Sequence, residues 1–183
     1  MENCVKAILY CYPRLGGIEE GYLDHIRNKA LFSSDGREPT QRIAEYLALE
    51  VLHKAKVREL INMANSVLDG LTVEEKLLLN VRYFGKMDRV KRAFAAKYAG
   101  IADDSMRAVK YWSESTYFRK QKRLLTKLTS RFLALGLNKD KFLEDFVCLD
   151  GIGDIYTYIE LGKDIGLDKK ERAFLQFLQE IRS

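Results

Sequence analysis

Apolar positions recur at helical spacing along almost the whole chain. The run Val5 to Tyr12 reads as a short buried helix that ends at Pro13. Ile18, Tyr22, Ile26 and Ala30 fall four residues apart and predict a second helix over Ile18 to Leu31. Ser33 to Glu38 is a turn-rich loop, and Pro39 suits the first turn of the next helix. A long stripe then runs through Ile43, Leu47, Val51 and Ala55 to Val57, Ile61, Ala64 and Leu68, and Gly70 stops it. A helix of about thirty residues reaches about 45 Å, so it is expected either to pack along two partners or to kink.

Later helix starts are marked by caps. Thr72 with Glu75 three residues on is a capping box, opening a helix with Leu77, Leu78, Val81 and Phe84 on its buried face and Gly85 at its end. Val90, Phe94 and Tyr98 stripe a helix over Arg89 to Ala99, and Gly100 to Ser105 breaks the pattern. Ser113 caps a long helix with Tyr117, Leu124, Leu125, Leu128 and Phe132 inward, closing near Gly136. Asn138 to Cys148 is one more helix, Gly151 and Gly153 mark a turn, and Ile155 to Leu161 is helical again. Asp168 with Glu171 caps a final helix bearing Phe174, Phe177, Leu178 and Ile181. With no strand pair and no internal repeat, the predicted fold is an all-α multi-helix bundle. Its expected sections are 1–70, 71–136 and 137–183, or one compact unit built from all three.

Composition narrows the class. The 183 residues include only two prolines, and 31% charged with 47% hydrophobic residues is the balance of an ordinary globular chain. Such a length buries roughly 70% of its unfolded surface, so no disulfide or metal is needed to hold a core. No apolar run approaches the roughly 18 to 20 residues of a membrane span, and the N-terminal run carries Lys6 and lacks a small-residue cleavage pattern. Cys4, Cys11 and Cys148 form no Cys-x-x-Cys and have no histidine nearby, which points to reduced thiols in a cytoplasmic protein without a metal.

The net charge of +5 decides nothing until it is resolved along the chain. Between Arg82 and Arg131 lie fourteen cations and four anions, a net +10; the other seventeen cations and twenty-two anions leave −5. A block of this kind fits a polyanion-binding face. It equally fits a solvated helix surface, because Lys and Arg are good exposed helix formers.

The block contains a recognisable pattern. Leu71 to Phe84, with Thr72, Glu75 and the ending Arg82, Tyr83, Phe84, resembles the first helix of the promoter-binding fourth region of bacterial sigma factors. Ser113, Thr116 and Tyr117, with Leu124, Leu125 and Leu128 beyond them, are similar to the cap and inner face of that family's second helix. The stretch from Trp112 to Tyr117 also resembles sigma-like regulators of phages and Gram-positive bacteria. The likeness covers residues 71 to 132. The chain departs from it in the long connection Gly100 to Tyr111, either an insertion or a differently built supporting helix, and in Lys120, where the family has an apolar residue.

The resemblance implies a sigma-like helix-turn-helix whose recognition helix enters the major groove of double-stranded DNA from Ser113. The outward set is then Glu114, Ser115, Phe118, Arg119, Lys122 and Arg123. By side-chain type Arg119 suits guanine, Glu114 suits cytosine and Phe118 a thymine methyl. Lys122, Arg123 and Lys127 suit phosphates, with Arg89 and Arg92 on the flanking backbone. Phe118 also fits a core position, since Leu125 lies seven residues on, and Arg119 fits a merely solvated one. The alternative is a helical interaction module whose basic face meets an acidic protein surface such as RNA polymerase. No nucleophile, base and oxyanion set can be assembled, Gly151 and Gly153 lack the third glycine of a nucleotide loop, and His25 and His53 have no ligand-spaced partner. The expectation is a regulator that is not an enzyme and needs no cofactor.

Overall fold

The computed structural model of the chain describes residues 1–32, 40–85, 109–162 and 167–180. Among these the fold is all-α. The helices are α1 (Glu2–Cys11), α2 (Leu15–Phe32), α3 (Thr40–Leu68), α4 (Val73–Arg82), α5 (Glu114–Ala134), α6 (Lys139–Asp145), α7 (Ile152–Glu160) and α8 (Leu167–Glu180), with a 3-10 turn at Tyr12–Arg14. None is long and apolar enough to cross a membrane. The helix expected at Arg89 to Ala99, the break at Gly100 to Ser105 and the loop at Ser33 to Pro39 lie outside the described residues.

Helix α1 is apolar on most of its circumference. Cys4, Val5, Ala7, Ile8, Leu9 and Cys11 are all buried within its ten residues. A helix of that kind must be enclosed, and α5 and α7 pack against it. Burial pushes the Cys11 thiol up to about 12, which keeps it an inert core group. The buried core draws on all three expected sections, from Ile8 and Leu60 through Leu78 and Leu128 to Phe146 and Phe174.

Helices α2 and α3 form an antiparallel pair. Glu19 binds Arg58 at 2.6 Å, His25 lies 3.0 Å from Glu50, and Lys29 sits over the Tyr46 ring, so one index rises as the other falls. Helix α6 crosses the second half of α3 through Lys56–Asp145 and Lys141–Glu59. The buried face of α3 differs in part from the stripe expected of it. The buried apolar positions are Val57, Leu60, Ala64 and Val67, whereas Val51 is 54% exposed and Ile61 and Leu68 are only partly covered. Val57 and Ala64 are on the buried face as expected, but Leu60 and Val67 take the places expected of their neighbours Ile61 and Leu68, because apolar residues adjacent in sequence lie about 100° apart on the helix and either can complete a stripe.

The caps expected at Thr72 and Ser113 form. Thr72 and Glu75 make the reciprocal box, with Glu75 N–H donating to Thr72 Oγ1 at 3.2 Å and Thr72 N–H to Glu75 Oε2 at 3.0 Å. Asn138 accepts from Lys141 N–H at 2.8 Å. At the end of α5, Gly136 takes φ +82°, Gly136 N–H donates to Leu133 O and Leu137 N–H to Phe132 O. This is a Schellman closure, and it turns Leu137 into the core. Helix α8 begins at Leu167, one residue before its expected Asp168 cap.

Gly153, expected in a turn with Gly151, lies instead inside the first turn of α7, with Gly151 at φ +73° as the residue before that helix. A Cβ at Gly153 would stand 2.4 Å from the Val147 carbonyl oxygen, so α7 approaches the preceding turn more closely than any other residue allows. Gly153→Ala is expected to destabilise the fold by about 1–3 kcal/mol, read as a lowered urea midpoint.

Candidate nucleic-acid interface

The long basic helix is placed by its first turn. Ser113 Oγ accepts the Thr116 N–H at 3.2 Å, and Glu114 sits where the helix dipole favours an anion. Trp112 and Tyr117, both buried, occupy the positions on either side of the cap that fix the entry angle of a helix. Inward lie Tyr117, Leu124, Leu125, Leu128 and Phe132, as the periodicity requires, together with Gln121. Gln121 is 4% exposed, and its amide donates to Leu78 O at 3.1 Å and to the Tyr117 hydroxyl oxygen at 3.0 Å. It ties α5 to the middle of α4.

The cations of α5 divide into two rows. Lys120 donates to Glu74 at 2.6 Å and lies 4.7 Å from the centre of the Trp112 ring. Lys127 grips both oxygens of Glu75, at 2.7 and 2.9 Å. Arg131 donates to the carbonyls of Val67 and Asp69 at 2.7 and 3.0 Å, closing the C-terminal end of α3. These three lace α5 onto α4 and α3. Lys127, expected among the phosphate contacts, has its ammonium matched to the Glu75 carboxylate. Lys120, at a position where the resemblance implies an apolar residue, is received by an acid and an aromatic ring.

The second row faces solvent. At about 100° per residue, Ser115, Arg119, Lys122, Arg123, Thr126 and Ser130 share the side of α5 opposite Tyr117 and Leu128. All six are exposed. Among the described residues Arg119, Lys122 and Arg123 make no ion pair. Glu114 is exposed in the first turn, and Phe118, 41% exposed, flanks the row while Leu125 goes inward. Arg89 and Arg92, expected to flank this face, lie outside the described residues, as do residues 100–108 of the long connection. Its end is described: Val109 is buried and Tyr111 is 72% exposed.

The C-terminal helix bears on this unit. Helix α8 packs on α4, and Phe174 meets Tyr117 with ring centroids 5.6 Å apart. The inner side of the α4–α5 pair is thus covered, and the row at Arg119, Lys122 and Arg123 is left outward. Among the described residues no cluster of histidine, cysteine or carboxylate side chains is arranged to hold a metal ion. No protein-family model, curated protein or solved structure matches this chain.

The lacing has a pH signature. Burial works against the charged form of Glu75, yet the Lys127 hydrogen bond, the Thr72 amide and the Arg131 charge together hold its carboxyl below the usual value. A carboxylate with a lowered folded pKa stabilises the protein above its unfolded pKa, and that stability is lost as the pH falls through the lowered value. Glu75→Gln keeps an acceptor for the Thr72 N–H but removes the charge. It is expected to cost about 1 kcal/mol at neutral pH and to match the parent protein once the pH lies below the lowered value. Denaturant melts at neutral and acid pH measure the difference.

Proposed function

We propose that the protein is a transcription regulator that binds double-stranded DNA through the outward row of α5, in the manner of a sigma-like helix-turn-helix. The observation that carries this reading is the division of the basic helix. Lys120, Lys127 and Arg131 are matched internally, while Arg119, Lys122 and Arg123 stand together with three hydroxyl residues on the solvent side. Three cations that make no ion pair among the described residues, over little more than one helical turn, attract a polyanion. A capped helix start with Glu114, Ser115 and Phe118 beside them supplies groups able to meet base edges. The resemblance of Leu71 to Phe84 and of Ser113 to Leu128 to sigma-factor sequences supports duplex DNA over other polyanions.

In the geometry proposed, α5 enters the major groove from its Ser113 end. Arg119 meets a guanine edge, Glu114 a cytosine amino group and Phe118 a thymine methyl. Lys122 and Arg123 then lie on the phosphates. Lys127 positions α5 against α4 and contacts no DNA.

Fluorescence anisotropy with a labelled duplex of mixed sequence at about 50 mM salt tests the reading. Binding is expected to weaken steadily with added salt. Arg119→Glu combined with Lys122→Glu is expected to lower affinity at least tenfold and to flatten the salt slope by about two contacts. Leu128→Ala is expected to cost about 2–5 kcal/mol in stability instead, because Leu128 is fully buried. The reading fails if no duplex binds at low salt while an acidic protein such as RNA polymerase does.

A further inference from the structure

A cleft of about 660 Å³ opens between the end of α3, the start of α4 and the turn at Tyr12. None of the outward residues of α5 lines it. Two helical rows form its walls. Asn65 and Asp69 stand one turn apart along α3 and just beyond its end; Lys76 and Asn80 stand one turn apart along α4. The chain reverses through residues 69–72, so Asp69 and Lys76 lie at the turn end and the two asparagines about 6 Å further in. Tyr12 and Phe84 close the far end, with ring centroids 5.3 Å apart and the Tyr12 hydroxyl donating to Asn65 Oδ1 at 2.8 Å. Buried Leu71 and Leu79 supply an apolar floor.

The charged end is arranged for a ligand with both signs of charge. Among the described residues Lys76 and Asp69 are in no ion pair, and the Asp69 carboxylate accepts from its neighbour Gly70 N–H at 2.9 Å. Asp69 stands just beyond α3, whose terminal carbonyls Arg131 already holds, so its carboxylate is the group offered to a ligand cation. Lys76 stands at the end of the first turn of α4, whose opening amide is taken by the Thr72–Glu75 box, so its ammonium is the group offered to a ligand anion. A carboxylate on Lys76 and an ammonium on Asp69 would each meet a side chain of complementary charge. A lone phosphate would meet the charge of Asp69, and a lone amine that of Lys76. The head group carrying both charges on one carbon is that of a free α-amino acid. Its side chain would then run past Asn65 and Asn80 over Leu71 and Leu79 toward the aromatic pair. The volume lies within the range of small-molecule pockets, about 300–1,000 Å³.

We propose that this cleft binds a free L-α-amino acid with a large apolar or aromatic side chain. The carboxylate sits on Lys76, the ammonium on Asp69, and the side chain fills the floor as far as Tyr12 and Phe84. Isothermal titration of the full chain with L-phenylalanine, L-leucine and L-tryptophan tests it, with L-phenylalaninamide and N-acetyl-L-phenylalanine lacking one charge each. At least one amino acid is expected to bind, and removal of either charge from the ligand is expected to weaken binding about tenfold or more. Lys76→Ala and Asp69→Asn are each expected to weaken it similarly, with circular dichroism melts confirming that the variants stay folded. The proposal is overturned if none of the three amino acids binds at about 5 mM, if the uncharged-end derivatives bind equally well, or if binding survives both substitutions. Its failure leaves duplex binding by α5 unaffected, since the two surfaces share no residue.

Discussion

The enclosure of α1 governs the rest of the structure. Ten residues with six of them buried cannot lie on a surface, because an amphipathic helix needs only one covered stripe and α1 has several. Two helices therefore take opposite duties around it. Helix α7 contributes Ile152 and Tyr156 to the core, and α5 contributes the stripe from Tyr117 to Phe132. Once that stripe is inward, the orientation of α5 is set and its other sides are fixed by rotation. Which cations face solvent is thus a consequence of where Leu124 and Leu128 are buried.

A second constraint acts at the start of α4. Its first turn carries Glu74 and Glu75, which suit the dipole but leave two carboxylates close together. Lys120 and Lys127, two helical turns apart on α5, meet them one to one. Each pair is partly screened and individually modest. Together with Gln121 on the Leu78 carbonyl and Arg131 on the end of α3, they fix how far α5 slides along its neighbour. The basic block thereby serves two purposes. One row registers helices, and the other gives the molecule an outward positive strip.

Much of the local structure was legible along the chain because its signals are local. Thr72 with Glu75, Ser113, Asn138 and Gly136 each satisfy backbone groups within a few residues of themselves, so their residue types announce helix ends directly. The inner face of α5 was legible for the same reason, since a long helix with charged and apolar sides has one consistent phase. Helix α3 was harder. Its first half is apolar on more than one side, with Leu49, Val51 and Leu52 exposed, so several stripes compete and only part of the expected one is buried. Gly153 misled for a related reason: a glycine needed for close approach to Val147 looks the same in sequence as a glycine needed for a turn.

The sequence by itself determined the all-α class, the caps, and the concentration of positive charge between Arg82 and Arg131. These depend on residue type and short spacing, which no packing arrangement can change. Only the tertiary structure decided which of those charges are occupied. Lys127 and Lys122 are the same residue type on one helix, five positions apart, and differ because Glu75 stands beside one of them. That carboxylate is fifty-two residues away along the chain. Helical periodicity records the direction a side chain takes from its own axis. It does not record what another helix brings to meet it.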